Sequence, residues 1–178
     1  ISLLGDTDWK VSIASLTPRV TSMNGLTIDA HIDLAQANQA DAVLIGSGMK
    51  TRDVARDETI MSQIQLNPER QLIAAQCSGT FLLGKLGLLQ GISACTDLTT
   101  RPWVIEAGVK VVDAPFVAHG NVATAGGCLA SRYLAAWMIA LASANVLTSL
   151  PSTATILSPG FTPASAAGAT GSDGVHAV

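Results

Sequence analysis

The feature that most constrains the fold is an apolar run that ends on a cysteine and passes at once into a helix. Residues 70–91 read RQLIAAQCSGTFLLGKLGLLQG. RQLIAAQ is short and apolar, which is typical of a buried parallel strand, and SGTFLLGKLGLL is typical of a helix. Cys77 therefore occupies a sharp strand-to-helix turn, whereas a structural cysteine could lie anywhere in a core.

Strands and helices alternate on both sides of this turn. The alternation predicts an α/β fold, a three-layer sandwich with a mostly parallel sheet and helices on both faces. A hairpin is expected where His119-Gly120-Asn121 separates two apolar runs. The sequence predicts further strands in 9–16, 40–48 and 91–97, and helices in 53–66 and 128–144.

Composition narrows the class of protein. The chain has 178 residues, 48% hydrophobic and 13% charged, with a net charge of −3. It is long enough for one globular domain, and nothing in its charge indicates a nucleic acid or membrane partner. Three irregularly spaced cysteines do not form a disulfide framework, and no signal-peptide pattern is present, so a cytoplasmic location is expected.

The composition changes at Pro151. Residues 151–178 are rich in Ser, Thr, Ala, Gly and Pro and carry almost no charge. We therefore predict one α/β domain over residues 1–150, followed by an irregular or flexible tail over 151–178.

The turn at Cys77 has a chemical consequence. In open α/β sheets, functional sites form beyond the carboxyl ends of the strands. The stretch from Ala75 to Gly79 has small residues on either side of Cys77, the pattern of a nucleophile elbow. The following helix N-terminus is expected to lower the thiol pKa, and the Ser78 N–H to donate to an oxyanion. The alternative is a buried cysteine that acts as a small hydrophobe.

A second rim segment follows the neighbouring strand. LIGSG places Ser47 and Gly48 at the end of an apolar run. We predict the Gly48 amide as a second oxyanion donor and Ser47 as a pocket residue, with an ordinary strand-ending turn as the alternative.

These segments together resemble a known family. AAQCSGTFLLGKLGLLQG is similar to the nucleophile segment of the ThiJ/PfpI family, in the class I glutamine amidotransferase-like superfamily, and DAVLIGSG and FVAHGNVATAGG match the family's neighbouring segments. The resemblance covers roughly residues 9–145. It implies a flavodoxin-like sandwich, commonly dimeric, with a reactive cysteine. A polar residue after that cysteine, here Ser78, is similar to isonitrile hydratases and to the sensor domains of AraC-type regulators.

The resemblance implies a cysteine-dependent hydratase or hydrolase. Cys77 would attack an electrophilic carbon of a small substrate, and water would complete the addition. The expected partners are that small molecule and a second copy of the chain, with no membrane, nucleic acid or cofactor. No metal is predicted, because His31 and His176 have no partners at ligand spacing. A non-catalytic ligand-sensing or regulatory domain, and a redox-sensing thiol, remain open as alternatives.

Two departures from the family bear on this function. Asp97 stands where many relatives have a histidine, so it is a catalytic partner of Cys77, a cap of the following helix or an ordinary loop residue. The family's first strand, which is central in the sheet, is also absent from the start of this chain. Its loss would expose the edges of its two neighbours. Either an N-terminal piece is lacking or another segment fills the gap.

The remaining candidates have simpler interpretations. Trp103, expected on a loop after Asp97, lines a pocket or anchors the loop. Gly126, like Gly79, is expected to allow close packing at the site. We interpret Cys95 and Cys128 as buried structural cysteines and His119 as a solvated turn residue.

Overall fold

The protein is built around a six-stranded sheet. The structure is a computed structural model that describes residues 9–22, 24–146, 153–157 and 162–163. The strands are β1 Lys10–Ala14, β2 Arg19–Thr21, β3 Thr27–Asp29, β4 Ala42–Ile45, β5 Leu72–Gln76, β6 Ser93–Ala94, β7 Lys110–Val111, β8 Phe116–His119, β9 Val122–Ala125, β10 Thr153–Leu157 and β11 Thr162–Pro163. The helices are α1 Leu34–Ala37, α2 Thr51–Arg56, α3 Glu58–Met61, α4 Gly79–Lys85, α5 Arg101–Glu106 and α6 Ser131–Val146, with a 3₁₀ turn at Cys128–Ala130.

The strand order of the main sheet is β1-β10-β4-β5-β9-β8. Every neighbouring pair is parallel except the edge hairpin of β8 and β9. This confirms the mostly parallel α/β sandwich, and it also confirms the hairpin around Gly120, whose φ of +57° suits glycine. Two small sheets, β11-β2-β3 and β6-β7, complete the described strands.

Both faces of the sheet are covered by helices, and this explains why the sequence of β5 is apolar throughout. Ile73 and Ala75 face one apolar cluster, which also contains residues of α1 and α4. Leu72 and Ala74 face the other, which is formed with α6. A strand that buries both faces reads as a continuous apolar run, so the layers follow directly from the sequence of β5.

The segment after residue 150 differs from its prediction. Residues 153–157 form β10, which pairs in parallel with β1 on one side and with β4 on the other. Thr162–Pro163 also forms a short strand against β2. The prediction of an irregular tail is therefore wrong for these two segments, and the rest of residues 151–178 lies outside the described residues. In the main sheet, β10 therefore lies between β1 and β4.

Three helical segments also differ from their predictions. The helix expected over 53–66 is two short helices, because the Asp57 side chain accepts from the Ile60 N–H and starts α3. Trp103, expected on a loop, lies on α5. Cys128 lies in the 3₁₀ turn before α6 and is exposed, so its assignment to the core is wrong.

Candidate active site around Cys77

The turn between β5 and α4 holds Cys77 in a strained backbone conformation. Its φ is 54°, and no other non-glycine residue in the described ranges has a positive φ. Such a conformation costs on the order of 1–3 kcal/mol and persists only when the surroundings fix it. The turn also brings α4 against the end of β4, since a Cβ built on Gly79 would lie 2.4 Å from the Ile45 carbonyl oxygen. Only glycine allows this approach, so the elbow depends on Gly79.

The Cys77 thiol faces a carboxylate. Its Sγ donates a hydrogen bond to Asp97 Oδ2 over 3.0 Å. The other oxygen, Oδ1, accepts from the backbone N–H groups of Thr99 at 2.9 Å and Thr100 at 3.0 Å. Asp97 therefore combines the two interpretations of the sequence: it contacts Cys77, and it fixes the turn that leads into α5.

The two groups shift each other's protonation in opposite directions. Burial raises the pKa of Cys77, and the hydrogen bond to Asp97 and its negative charge raise it further, although Ser47 and the Ser78 N–H act the other way. Burial alone would raise the pKa of Asp97, but hydrogen bonds from Thr100, Cys77 and Thr99 outweigh it and lower that pKa. The resting pair is thus a thiol and a carboxylate. The expectation of a lowered Cys77 pKa is wrong, because burial and the facing carboxylate outweigh the helix N-terminus.

A group of hydroxyls lies next to the thiol, centred on Ser78. Ser78 Oγ is 2.9 Å from Thr51 Oγ1 and 3.2 Å from Ser47 Oγ. Thr51 is fully buried and donates to the Gly48 carbonyl over 2.6 Å. Ser47 also acts on the Cys77 thiol, in the direction that lowers its pKa. The predicted pocket residue Ser47 therefore belongs to the hydroxyl group beside Cys77.

The two predicted oxyanion donors have different surroundings. The Ser78 N–H acts on the Cys77 thiol in the direction that lowers its pKa, so it favours the thiolate. The Gly48 N–H donates to Ser78 Oγ over 3.0 Å. A role for Gly48 in binding an oxyanion would have to compete with this bond, so Ser78 N–H is the better-placed donor and Gly48 holds Ser78 in position.

Trp103 forms a wall with side chains from two other helices. Its ring is 6.1 Å from that of Phe81 on α4, in an edge arrangement, and the Arg52 guanidinium stacks 4.8 Å from its centroid. Arg52 follows Thr51 at the start of α2. The three helices that begin at the site are therefore joined by this stack, which supports the anchoring interpretation of Trp103.

Gly126 borders the loop that carries Asp97. A Cβ on Gly126 would lie 3.5 Å from the Thr96 carbonyl oxygen and within 4 Å of two other backbone oxygens, which is ordinary contact. Its own carbonyl accepts from Gln76 Nε2. A Cβ would therefore fit at Gly126, and these distances do not support the expectation that glycine is needed there for close packing. The Gly126 carbonyl binds Gln76 at the end of β5.

Of the remaining candidate residues, Cys95 is buried and His119 is exposed to solvent. Cys95 is 1% exposed, and its Sγ donates to the Thr124 carbonyl over 3.1 Å, which confirms a buried structural thiol. His119 is exposed and its Nε2 is 3.2 Å from Ser93 Oγ.

Among the described residues, no group of three or more His, Cys, Asp or Glu side chains is arranged to hold a metal ion. Nor does any helix in those ranges have the length and apolarity to cross a membrane.

Two residues at the site were missed by sequence reasoning. Thr51 is one of them, and its signal was its position just after the Gly-Ser-Gly turn. Thr96 is the other: its Oγ1 donates to the Cys77 carbonyl over 2.9 Å and lies 3.4 Å from Asp97 Oδ2. Its signal was its place directly before Asp97.

Comparison with known proteins identifies the family of the chain. The model of the DJ-1/PfpI family matches residues 1–149. The chain belongs to the DJ-1/PfpI family. The match ends before β10, so the strand that completes the sheet lies beyond the part of this DJ-1/PfpI protein that the family model describes.

Individual relatives agree with this assignment. An isonitrile hydratase from Pseudomonas putida is 28% identical over 123 residues, which is 68% of this chain and 52% of the relative. The chain therefore spans about half the length of that relative. A ThiJ/PfpI family protein from Pseudomonas syringae has a TM-score of 0.66 at 27% identity, covering 74% of this chain and 56% of its own. A ThiJ/PfpI domain protein from Brachyspira murdochii, at 15% identity, shares the fold with a TM-score of 0.67 over 79% of this chain and 99% of its own.

Proposed function

We propose that this DJ-1/PfpI protein is a cysteine-dependent hydratase that adds water to a small electrophile of the isonitrile class. The observation that carries the proposal is the 3.0 Å hydrogen bond from Cys77 Sγ to Asp97 Oδ2 at a nucleophile elbow. A direct contact between a thiol and a carboxylate supports the proposed roles of nucleophile and proton acceptor. The similarity to an isonitrile hydratase supports the choice of substrate class.

The first step forms a covalent intermediate. As Cys77 Sγ attacks the terminal carbon of R–N≡C, its proton passes to Asp97 Oδ2, and Asp97 then delivers that proton to the same carbon. The product is a thioimidate, R–N=CH–S–Cys77, and no atom has left. Because the resting sulfur is a thiol, the proton moves only when a bound electrophile makes the attack favourable. The Ser78 N–H and Ser47 stabilise the negative charge on sulfur while this happens.

The second step releases the product. Water adds across the C=N bond, with its hydroxyl on carbon and its other hydrogen on nitrogen, while Asp97 accepts and returns the proton. The hydroxyl then loses its proton, the C–S bond breaks, and Asp97 relays the proton to sulfur. The sum is R–N≡C plus water giving the formamide R–NH–CHO, with Cys77 and Asp97 regenerated.

The test is turnover of a simple alkyl isonitrile, followed by NMR detection of the formamide. Native protein should form formamide at a rate proportional to enzyme, while Cys77→Ser should not exceed the background. Cys95→Ser serves as the matched control, because it alters a thiol outside the site. Equal rates for native protein and Cys77→Ser would contradict the proposal.

A ligand-sensing domain is the second candidate, and the raised pKa of Cys77 favours it, because a protonated thiol is a poor nucleophile until a partner removes the proton. It predicts saturable binding of the isonitrile without formamide. The same raised pKa counts against a redox sensor, which relies on a thiolate at neutral pH.

We also propose that the protein is a homodimer. Exposed large apolar side chains, including Leu26 and Leu129, support self-association. Light scattering over a range of concentrations tests this, and a mass equal to one chain throughout would contradict it.

A further inference from the structure

Thr96 connects the strained turn to the loop that carries the carboxylate. Its Oγ1 donates to the Cys77 carbonyl over 2.9 Å. The same carbonyl accepts a longer bond, 3.2 Å, from the Thr80 N–H. The Cys77 N–H in turn donates to the Ala125 carbonyl over 2.8 Å. Thr96 is thus the side chain that binds the backbone of the residue with the positive φ.

The Thr96 hydroxyl adds a second tie between the loop of Asp97 and Cys77. Asp97 Oδ2 accepts from the Cys77 thiol, whereas Oδ1 is fixed by Thr99 and Thr100 of its own loop. Cys95 is fixed to α4 by the hydroxyl of Thr80 and to β9 by Thr124. Between these anchors, the Thr96 hydroxyl attaches the loop to Cys77 itself, one residue before Asp97.

We infer that Thr96 is a positioning residue that sets the distance between the Cys77 thiol and the Asp97 carboxylate. The inference rests on the proposed pairing of these two groups but adds a residue that touches no substrate. A hydroxyl is needed because the contact is a donated hydrogen bond. A methyl group of the same size leaves the Cys77 carbonyl with the Thr80 N–H alone.

The contact also explains how a strained residue can be reactive without being mobile. A nucleophile must be held close to its working geometry, and misplacement by about 1 Å can cost on the order of 100-fold in rate. Thr96 holds the carbonyl side of Cys77, and the Ala125 carbonyl holds its N–H side. Both ends of the residue are therefore fixed, while its sulfur stays half-buried and accessible.

The experiment measures the pH profile of Cys77 alkylation by iodoacetamide in the full chain, with Cys77→Ser as the blank. Asp97 is the one charged group among the described residues that acts on the Cys77 thiol, so the profile reports how well the pair is held. In Thr96→Val the inflection should move to lower pH, because the carboxylate no longer stays against the sulfur. Formamide production should fall by roughly tenfold. Thr96→Ser should restore both.

Ser93→Ala is the matched control. It removes a hydroxyl three residues before Thr96 whose hydrogen-bonding partner is His119, outside the Cys77–Asp97 contact, so the alkylation profile should stay where it is in the native protein. If Thr96→Val fails to fold, Thr96→Ala replaces it with the same expectation.

An unchanged alkylation profile in a folded Thr96→Val or Thr96→Ala variant would overturn the inference, as would failure of Thr96→Ser to restore the native profile. A profile that shifts equally in Ser93→Ala would also overturn it, because the effect would then not be specific to the Thr96 hydroxyl. If the profile moves as expected but the native protein makes no formamide, the hydratase proposal fails and the positioning role stands.

Discussion

Cys77 and Cys95 are both partly or fully buried, and burial raises the pKa of both thiols. They differ in what accepts the hydrogen of the sulfur. Cys77 donates to a carboxylate oxygen of Asp97 over 3.0 Å, whereas Cys95 donates to the Thr124 carbonyl oxygen over 3.1 Å. A carboxylate can take the proton and keep it, but a backbone carbonyl cannot.

The comparison shows that a raised pKa does not by itself separate the thiol proposed as a nucleophile from the buried structural thiol. The two thiols have donor–acceptor distances that differ by 0.1 Å, and only the acceptor's chemistry and the exposure of the sulfur distinguish them. A search for functional cysteines in this fold therefore has to consider which group accepts the hydrogen bond of the thiol, as well as the direction in which the thiol pKa is shifted.

Replacing each thiol in turn gives the largest expected contrast. Cys77→Ser should lower formamide production by roughly 1,000-fold or more, because it removes the nucleophile. Cys95→Ser should keep near-native turnover, since a serine hydroxyl can still donate to the Thr124 carbonyl. Rates are measured by NMR under identical conditions. A large loss of turnover in a folded Cys95→Ser variant would break the comparison.

Replacing the Asp97 carboxylate with a neutral amide should separate its role in proton transfer from its effect on the reactivity of the Cys77 thiol. In Asp97→Asn, turnover should fall by about 100- to 10,000-fold, the usual range for loss of an acid–base group. Alkylation of Cys77 at neutral pH should become faster, because a neutral amide no longer raises its pKa. Both rates are measured on the same preparation. If both fall together, Asp97 holds the thiol in place instead of exchanging its proton.

The elbow geometry, which Cys95 lacks, is tested by two glycines of α4. Gly79→Ala should lower the free energy of unfolding by roughly 1–3 kcal/mol, since its Cβ would lie 2.4 Å from the Ile45 carbonyl. At Gly84 a Cβ would come no closer than 3.2 Å, to a side-chain methyl of Val109, so Gly84→Ala should be far milder. Urea unfolding provides both values. Equal losses would mean that the close approach does not limit residue 79.

The smallest expected effect is in the pH dependence of Cys77 alkylation, where the inflection of the rate against pH should be displaced. Because the pKa in the folded protein is raised, the alkylation rate should climb with pH through an inflection above that of a free thiol, about 8.5. The same raised pKa stabilises the folded state at pH values below the pKa of a free thiol. This contribution to stability is lost as the pH rises through the pKa that Cys77 has in the folded protein. An inflection below 8.5 would contradict the thiol–carboxylate description.

Much of the fold could be predicted from local patterns. β5 and its helix were predictable because a strand buried on both faces is apolar throughout, and because Cys77 and Gly79 mark the turn. The hairpin was predictable from Gly120 and its neighbours. α5 was missed because Pro102, at its second position, resembles a break, although proline is well tolerated in the first turn.

The site was only partly predictable, because its contacts come from distant segments. Cys77 and Ser78 were found from one short stretch. The contact with Asp97 was left open, because an aspartate before a helix usually caps it; here Asp97 contacts Cys77 and fixes the turn that leads to Thr100, the N-cap of α5. Thr51 and Thr96 were missed because hydroxyl residues are common in loops, and only the folded chain shows which carbonyls and hydroxyls they bind.

The position of β10 has a consequence for the order in which the protein folds. β10 begins at Thr153, more than 100 residues after the end of β4 in the chain. It nevertheless pairs with β4 and with β1. β1 meets the rest of the sheet through β10, so a folding chain must close its longest loops before the sheet is continuous. Such non-local pairing slows folding and leaves two strand edges exposed meanwhile. The edges of β1 and β4 are therefore the surfaces most open to wrong pairing, and the local β5–α4 unit can form well before the sheet is complete.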